Sequence, residues 1–458
     1  MIRLGLKAAP RLGFALVLIV FGSCSRPAPY GVSARIATKP YLEMPSEADG
    51  KIPLLLSQTG VFSDTPNRIA SPGLIPYDLN VAFWSDGADK SRWIAVPAGQ
   101  IVFSPAGEWR FPAGTVFVKN FDLAVDATDA DADADANANA KRRLETRLLV
   151  RDSMGGVYGV VYKWRTDGSD ADLLGTSATE NIRVKSATGE VHEQTWYFPS
   201  RQDCLTCHTA GAGGVLGVKT RQLNRPLTYP SGVTDNELRT WNHLGLFKPA
   251  FKDEAVREFA ALAAADDTTR SLQDRARSYL DANCAQCHRP GGTVANFDAR
   301  YDTPLSKQAL IDGPVLIDQG IDRPRVVSPH DIWRSIAYMR VDTVGDIRMP
   351  PLARATIDYK GVRLLREWID SMPGPRVLAP PSISPPGGTC ARPVEISLRE
   401  SEPGADIRYT LDGSVPGTND MLYEKPLKLS GPAVLRTRAF KKGFTRSITA
   451  QEVFVIGK

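Results

Sequence analysis

A chain of 458 residues exceeds one ordinary domain and, at roughly 150 residues per domain, predicts about three. Apolar residues make up 42% and charged residues 23%, which allows buried cores and excludes wholesale disorder. The formal charge is +5, but Arg3, Lys7 and Arg11 fall in an export signal. The +2 left on the remainder gives no support for nucleic-acid binding.

The first residues read as that signal. Arg3, Lys7 and Arg11 accompany an apolar run, Leu12 to Phe21, shorter than the roughly 20 residues a membrane-spanning helix needs. Gly22-Ser23-Cys24 follows at once and resembles a bacterial lipobox, in which the Cys thiol is acylated and becomes the mature terminus. Residues 1–23 are then the signal peptide, Cys24 the lipidation site, and 24–50, rich in Pro and small residues, a tether. An ordinary cleaved signal with an incidental Cys is the alternative. Both readings export the chain to the periplasmic side or cell surface, and the first adds a lipid anchor to the membrane.

Residues 51–200 predict a β-rich domain. Alternating runs such as Thr115 to Phe121, Thr146 to Val150 and Val157 to Tyr162 are bounded by Gly, Pro and Asp. An Asp-Ala repeat from Asp126 to Ala140 sits between the first two and reads as a solvated hairpin extension.

The six cysteines carry the chemistry. Four lie in Cys204-Leu-Thr-Cys207-His208 and Cys284-Ala-Gln-Cys287-His288, both of the Cys-x-x-Cys-His form of c-type haem attachment. Two thiols spaced by two residues reach the two vinyl groups on one porphyrin edge, and the next residue offers its imidazole to the iron. Cys204, Cys207, Cys284 and Cys287 thus predict two covalently bound haems, with His208 and His288 as iron ligands. One zinc shared by both pairs expects a gap of about 15–20 residues. Here 77 positions separate Cys207 from Cys284. A thioredoxin-like pair expects a βαβ setting, and structural disulfides require no His, of which the chain has five.

The second motif ends an amphipathic stretch, Ser271 to Cys284, and Pro290-Gly291-Gly292 stops it. Ile347-Arg348-Met349-Pro350-Pro351-Leu352 comes later, followed by Val362, Leu364, Leu365, Trp368 and Ile369 on a closing helix. This order resembles a small class I cytochrome c, and the resemblance implies Met349 as the distal ligand of the second iron. Met339, on an expected helix from Ile332 to Arg340, reads as core. No Met stands between His208 and Cys284. His243 follows a Thr234–Glu237 capping-box pattern and precedes Gly245, so a helix-borne distal His is one reading for the first iron. Another residue, such as His192 or Met154, or a vacant sixth position are the others.

The C-terminal stretch is separate. Pro380-Pro381, Pro385-Pro386 and Gly387-Gly388 form a linker, and Val394 to Leu398 and Ile407 to Thr410 alternate as strands. Pro403 to Ser414 is similar to the small Ig-like module that ends chitobiases and hexosaminidases, implying an accessory β-sandwich. Cys390 reads as a small buried hydrophobe.

Phe83-Trp84-Ser85-Asp86-Gly87-Ala88-Asp89-Lys90, Phe111 to Phe121, Tyr197 to Asp203 and the Met349-Pro-Pro segment together resemble an exported bacterial di-haem c-type cytochrome family, largely uncharacterised in function. The resemblance implies two haems and export. The expected fold is multidomain α+β: a β-rich domain at 51–200, a first haem segment at 201–265, an α-helical class I cytochrome c-like domain at 266–376, and a linker with an Ig-like β-sandwich at 377–458. The expected function is electron transfer with a periplasmic or membrane redox partner. The rivals are a haem enzyme acting on peroxide or a small gas at the first haem, and a surface protein whose C-terminal module binds a glycan or protein.

Overall fold

Period-two burial organises most of the chain. The computed structural model describes residues 29–125, 141–185, 189–294, 296–352 and 354–457. About 30% of the chain lies in strands and 17% in helices, and the helices number six among the described residues. Cys24, the expected signal peptide and the Asp-Ala repeat fall outside the described residues.

Six strands form one antiparallel meander: β1 (Leu74–Pro76), β2 (Asp89–Ala95), β3 (Val116–Ala124), β4 (Lys141–Arg151), β5 (Val157–Trp164) and β6 (Ala171–Leu173). Val116 and Val118 of β3, Leu148 and Val150 of β4, and Val160 and Tyr162 of β5 share one face, packed on Leu42, Met44, Leu56 and Val61. Burying such a side chain contributes about 1.5–3 kcal/mol. Leu42 and Met44 are buried, so the described part of 24–50 is packed chain rather than a free tether. On the opposite face Ile94 and Phe117 join Trp109, Trp241 and Phe247. A hairpin of β7 (Ala178–Lys185) and β8 (Val191–Phe198) covers Phe121 and Leu144 with Trp196 and Phe198.

The expected α-helical class I cytochrome c-like domain is overturned: the chain is mostly β, and no helical cytochrome c-like domain is evident. The α-helices are α1 (Arg201–Cys207), α2 (Thr220–Leu223), α3 (Glu237–His243), α4 (Leu272–Cys284), α5 (Ile336–Val341) and α6 (Tyr359–Ser371). Only the last three lie within 266–376, and the Pro- and Gly-rich chain between α4 and α5 forms turns, isolated bridges and short 3-10 segments. The helix expected from Ile332 to Arg340 is broken at Ser335, whose hydroxyl donates to the Asp331 carbonyl at 2.7 Å. α4 and α6 pack closely because Gly361 has no side chain; a Cβ there would stand 2.4 Å from the Tyr279 ring. Val362, Leu365 and Ile369 of α6 lie at helical spacing in that core.

At the C-terminus, sheets of three and five strands enclose Ile396, Leu398, Leu435 and Phe454. This β module meets the preceding segment at Asp322, whose carboxylate pairs with Arg334, Arg438 and Arg446 at 3.1, 3.2 and 3.1 Å.

Candidate functional site

Each Cys-x-x-Cys-His segment lines a cavity. The first is set by α1, whose N-terminus is a reciprocal cap: the Asp203 N–H donates to Ser200 Oγ at 3.2 Å, and Asp203 Oδ2 accepts the Ser200 N–H at 2.8 Å. The Tyr197 hydroxyl donates to the same carboxylate at 2.7 Å. The segment preceding Cys204 is therefore a helix-starting device. Cys204 lies against β5 at Gly159, where an added Cβ would be 2.8 Å from its Sγ. His208 caps the helix, its N–H donating to the Cys204 carbonyl at 3.0 Å.

His208 Nδ1 sits 2.8 Å from the Gly214 carbonyl, an acceptor that fixes the proton on Nδ1 and leaves the Nε2 lone pair free. Burial first, then the charges of Lys119 and Arg147, hold its pKa down at about 4, so the ring is neutral at pH 7. The cavity there has a volume of about 200 Å³. Its walls include Phe117 and Lys119 of β3, Arg147 and Leu149 of β4, and Gln222 of α2.

The second cavity, of about 220 Å³, brings Cys284, Cys287, His288 and Met349 together. α4 delivers the motif, with Ser271 Oγ accepting the Asp274 N–H at 3.1 Å at its start. His288 stacks on Phe297 with ring centroids 4.2 Å apart, and burial lowers its pKa to about 4. Burial likewise pushes the Cys284 thiol up to about 12. The Met349 N–H donates to the Arg340 carbonyl at 2.8 Å, and the buried Arg354 guanidinium donates to the carbonyls of Met349, Arg340 and Val341. Met349 is thus held from both flanks. Met339 does not line this cavity.

The two sites abut. Cys287 and burial together raise the pKa of the Cys207 thiol, so the two motifs stand within reach of each other. A Cβ on Gly211 would stand 1.8 Å from the Gly291 carbonyl oxygen. Ala282 of α4 and Leu352, which follows Met349-Pro-Pro, also line the first cavity.

His243 is not brought to His208. It lies at the last turn of α3, with Nε2 3.0 Å from the Ser33 carbonyl and its ring stacked on Tyr30 at 3.6 Å. The expected Thr234 cap fails because Thr234 is in a short strand paired with Thr228. Asn236 is the cap instead, accepting the Leu238 and Arg239 N–H groups at 3.0 and 3.3 Å. Met154 is exposed, and neither it nor His192 lines the first cavity.

Sequence reasoning missed a row of cations on the inner sheet face. Arg92, Lys119 and Arg147 are direct cross-strand neighbours on β2, β3 and β4. The signal was present in the alternation of Phe117, Lys119 and Phe121, which places a Lys on the side of two inward aromatics. Among the described residues no group of three or more His, Cys, Asp or Glu side chains could hold a bare metal ion. A haem needs no such cluster, since the porphyrin supplies four donors and the chain only axial ones. Two thiols and a neutral imidazole at each cavity fit that group.

No described helix is long and apolar enough to cross a membrane. No curated protein and no solved structure gives a significant match to the chain. Residues 385–451 match the chitobiase/beta-hexosaminidase C-terminal domain, and the Ig-like β module that closes the chain is that domain.

Proposed function

We propose that the chain is an exported di-haem c-type cytochrome that passes electrons between periplasmic or membrane redox partners. The observation that carries the reading is the repeated arrangement of two thiols and a half-buried neutral imidazole on the wall of each of two adjoining cavities. Bound haem would supply a one-electron iron couple. Cys204 and Cys207 would hold one macrocycle and Cys284 and Cys287 the other, with His208 and His288 as axial ligands.

The protein's own contribution is positional. The Gly214 carbonyl fixes the His208 tautomer, Phe297 orients His288, and the Arg354 carbonyl clamp keeps Met349 at the second cavity. A His/Met pair raises a haem potential relative to two His ligands, which suits an electron carrier. The abutting motifs give a short path from one site to the other. Residues 1–23 and Cys24 would export and anchor the chain, and the C-terminal module would attach it to a glycan or protein.

The test is the mass and spectrum of the exported protein after denaturation. Two haems retained through thioether bonds support the reading. Bound zinc, or loss of all haem on denaturation, overturns it. A haem that stays five-coordinate and turns over peroxide would favour the enzyme alternative.

A further inference from the structure

Lys119 is the one cation in its row that lacks an anionic partner. Arg92 pairs with Asp78 and Arg147 with Glu145, both at 2.5 Å, and Lys90 donates to the Phe83 carbonyl at 2.9 Å. Among the described residues the Lys119 Nζ has no hydrogen bond or ion pair, and it rests 4.7 Å from the Phe121 ring centroid. It is half-buried and lines the cavity that contains Cys204, Cys207 and His208.

Two occupants suit a half-buried lysine in such a cavity: an anionic carboxylate on the haem rim, or the iron itself. Position favours the iron. Arg147, directly opposite Lys119 on the sheet, lies within electrostatic reach of both Cys204 and Cys207, and Lys119 is among the charges acting on His208. The row therefore stands beside the attachment edge and the axial imidazole. Chemistry allows it, because an amine that releases its proton on binding is a σ-donor.

Other donors in that cavity are committed. The Gln222 amide is engaged with the Val81 backbone at 2.7 and 2.9 Å, and Asp203 caps α1. Tyr77 keeps its proton, because burial raises its pKa well above the ordinary phenol value.

We propose that Lys119 supplies the sixth ligand of the iron held by His208, giving this protein one His/Lys and one His/Met haem. The inference rests on the di-haem reading and goes beyond it by assigning the distal residue.

The experiment uses the full-length, matured protein in its ferric form, followed by electronic absorption and electron paramagnetic resonance, with haem content measured in parallel. Absence of covalent haem would sink the functional reading itself. With two haems present, the unaltered protein should be wholly low-spin. Lys119→Ala and Lys119→Arg should each turn half of the haem high-spin, and added imidazole should restore the low-spin spectrum. Tyr77→Phe and His243→Ala should leave both haems low-spin.

Two haems that stay low-spin in Lys119→Ala overturn the proposal, as does a high-spin haem already present in the unaltered protein. Lys119→Arg remaining low-spin overturns it too, because arginine keeps a cation and offers no ligand. Should the Lys119 variants fail to fold, proton resonance of the reduced unaltered protein decides. A ligating lysine shows side-chain methylene signals shifted strongly upfield by the porphyrin ring current, and their absence refutes the assignment.

Discussion

Asp86 Oδ1 accepts the backbone N–H of Thr356 at 2.8 Å and its hydroxyl at 3.0 Å, across 270 residues of chain. The same carboxylate takes the Ala355 N–H at 2.8 Å. Nearby, the Trp84 N–H donates to Asn283 Oδ1 at 2.8 Å, one residue before Cys284. The Phe83 to Lys90 segment thus braces both the second attachment motif and the chain that follows Met349. Removing a buried charged acceptor costs about 2–3 kcal/mol. Asp86→Ala should lower stability by about that amount in urea titration, and Asp86→Asn, which keeps one acceptor oxygen, by less.

Met349 and Met339 should separate cleanly. Only Met349 lines the cavity of His288, so Met349→Ala should change the ligand-field spectrum of one haem and lower its midpoint potential, whereas Met339→Ala should leave both unaltered. Equal effects from the two variants would remove Met349 from the iron.

Much of this was legible because it is local. Two thiols and a His at fixed spacing announce themselves in any fold, and the Met349-Pro-Pro segment drew notice by composition. The helices α4 and α6 followed from apolar spacing, but they did not add up to a helical domain. Residues 285–335 have the Pro and Gly content of turns, and a chain dominated by strands surrounds them. The distal side of the first site was illegible for a different reason. His243 had the right chemistry, and only tertiary packing on Tyr30 and Ser33 removes it. Lys119 reaches the cavity through cross-strand register, which a single strand cannot reveal.

Lys90 should give the stability curve a slope on the alkaline side. Burial lowers its pKa to about 7, against about 10.4 in an unfolded chain, so between these values the unfolded state holds the extra proton. Stability from this group therefore rises with pH from about 7 to 10.4, by on the order of 4 kcal/mol. Lys90→Met lacks that proton. It should exceed the unaltered protein in stability at pH 7, with the gap closing toward pH 10 in chemical denaturation.

Gly211→Ala should loosen the junction between the two attachment segments. The added methyl would meet the Gly291 carbonyl oxygen at 1.8 Å, and backbone on both sides must move. Overpacking of this kind costs about 1–3 kcal/mol. Slower electron exchange between the two haems, with both still attached, is the expected readout.

Asp322→Ala should free the C-terminal module. Arg334 and Arg438, both buried, and the more exposed Arg446 would lose their shared carboxylate and repel one another. Limited proteolysis near 377–388 should speed up while the haem spectra stay unchanged. An unaltered cleavage rate would show that the arginines do not depend on Asp322.

The close approach of the two attachment segments at Gly211 and Gly291 also bears on the making of the protein. With the two segments closed on each other, Cys207 and Cys287 are each half-buried, and an attachment enzyme would reach them more readily while the segments are apart. On the di-haem reading, attachment would then precede the meeting of 201–217 with 284–294, and closure of the junction would complete maturation.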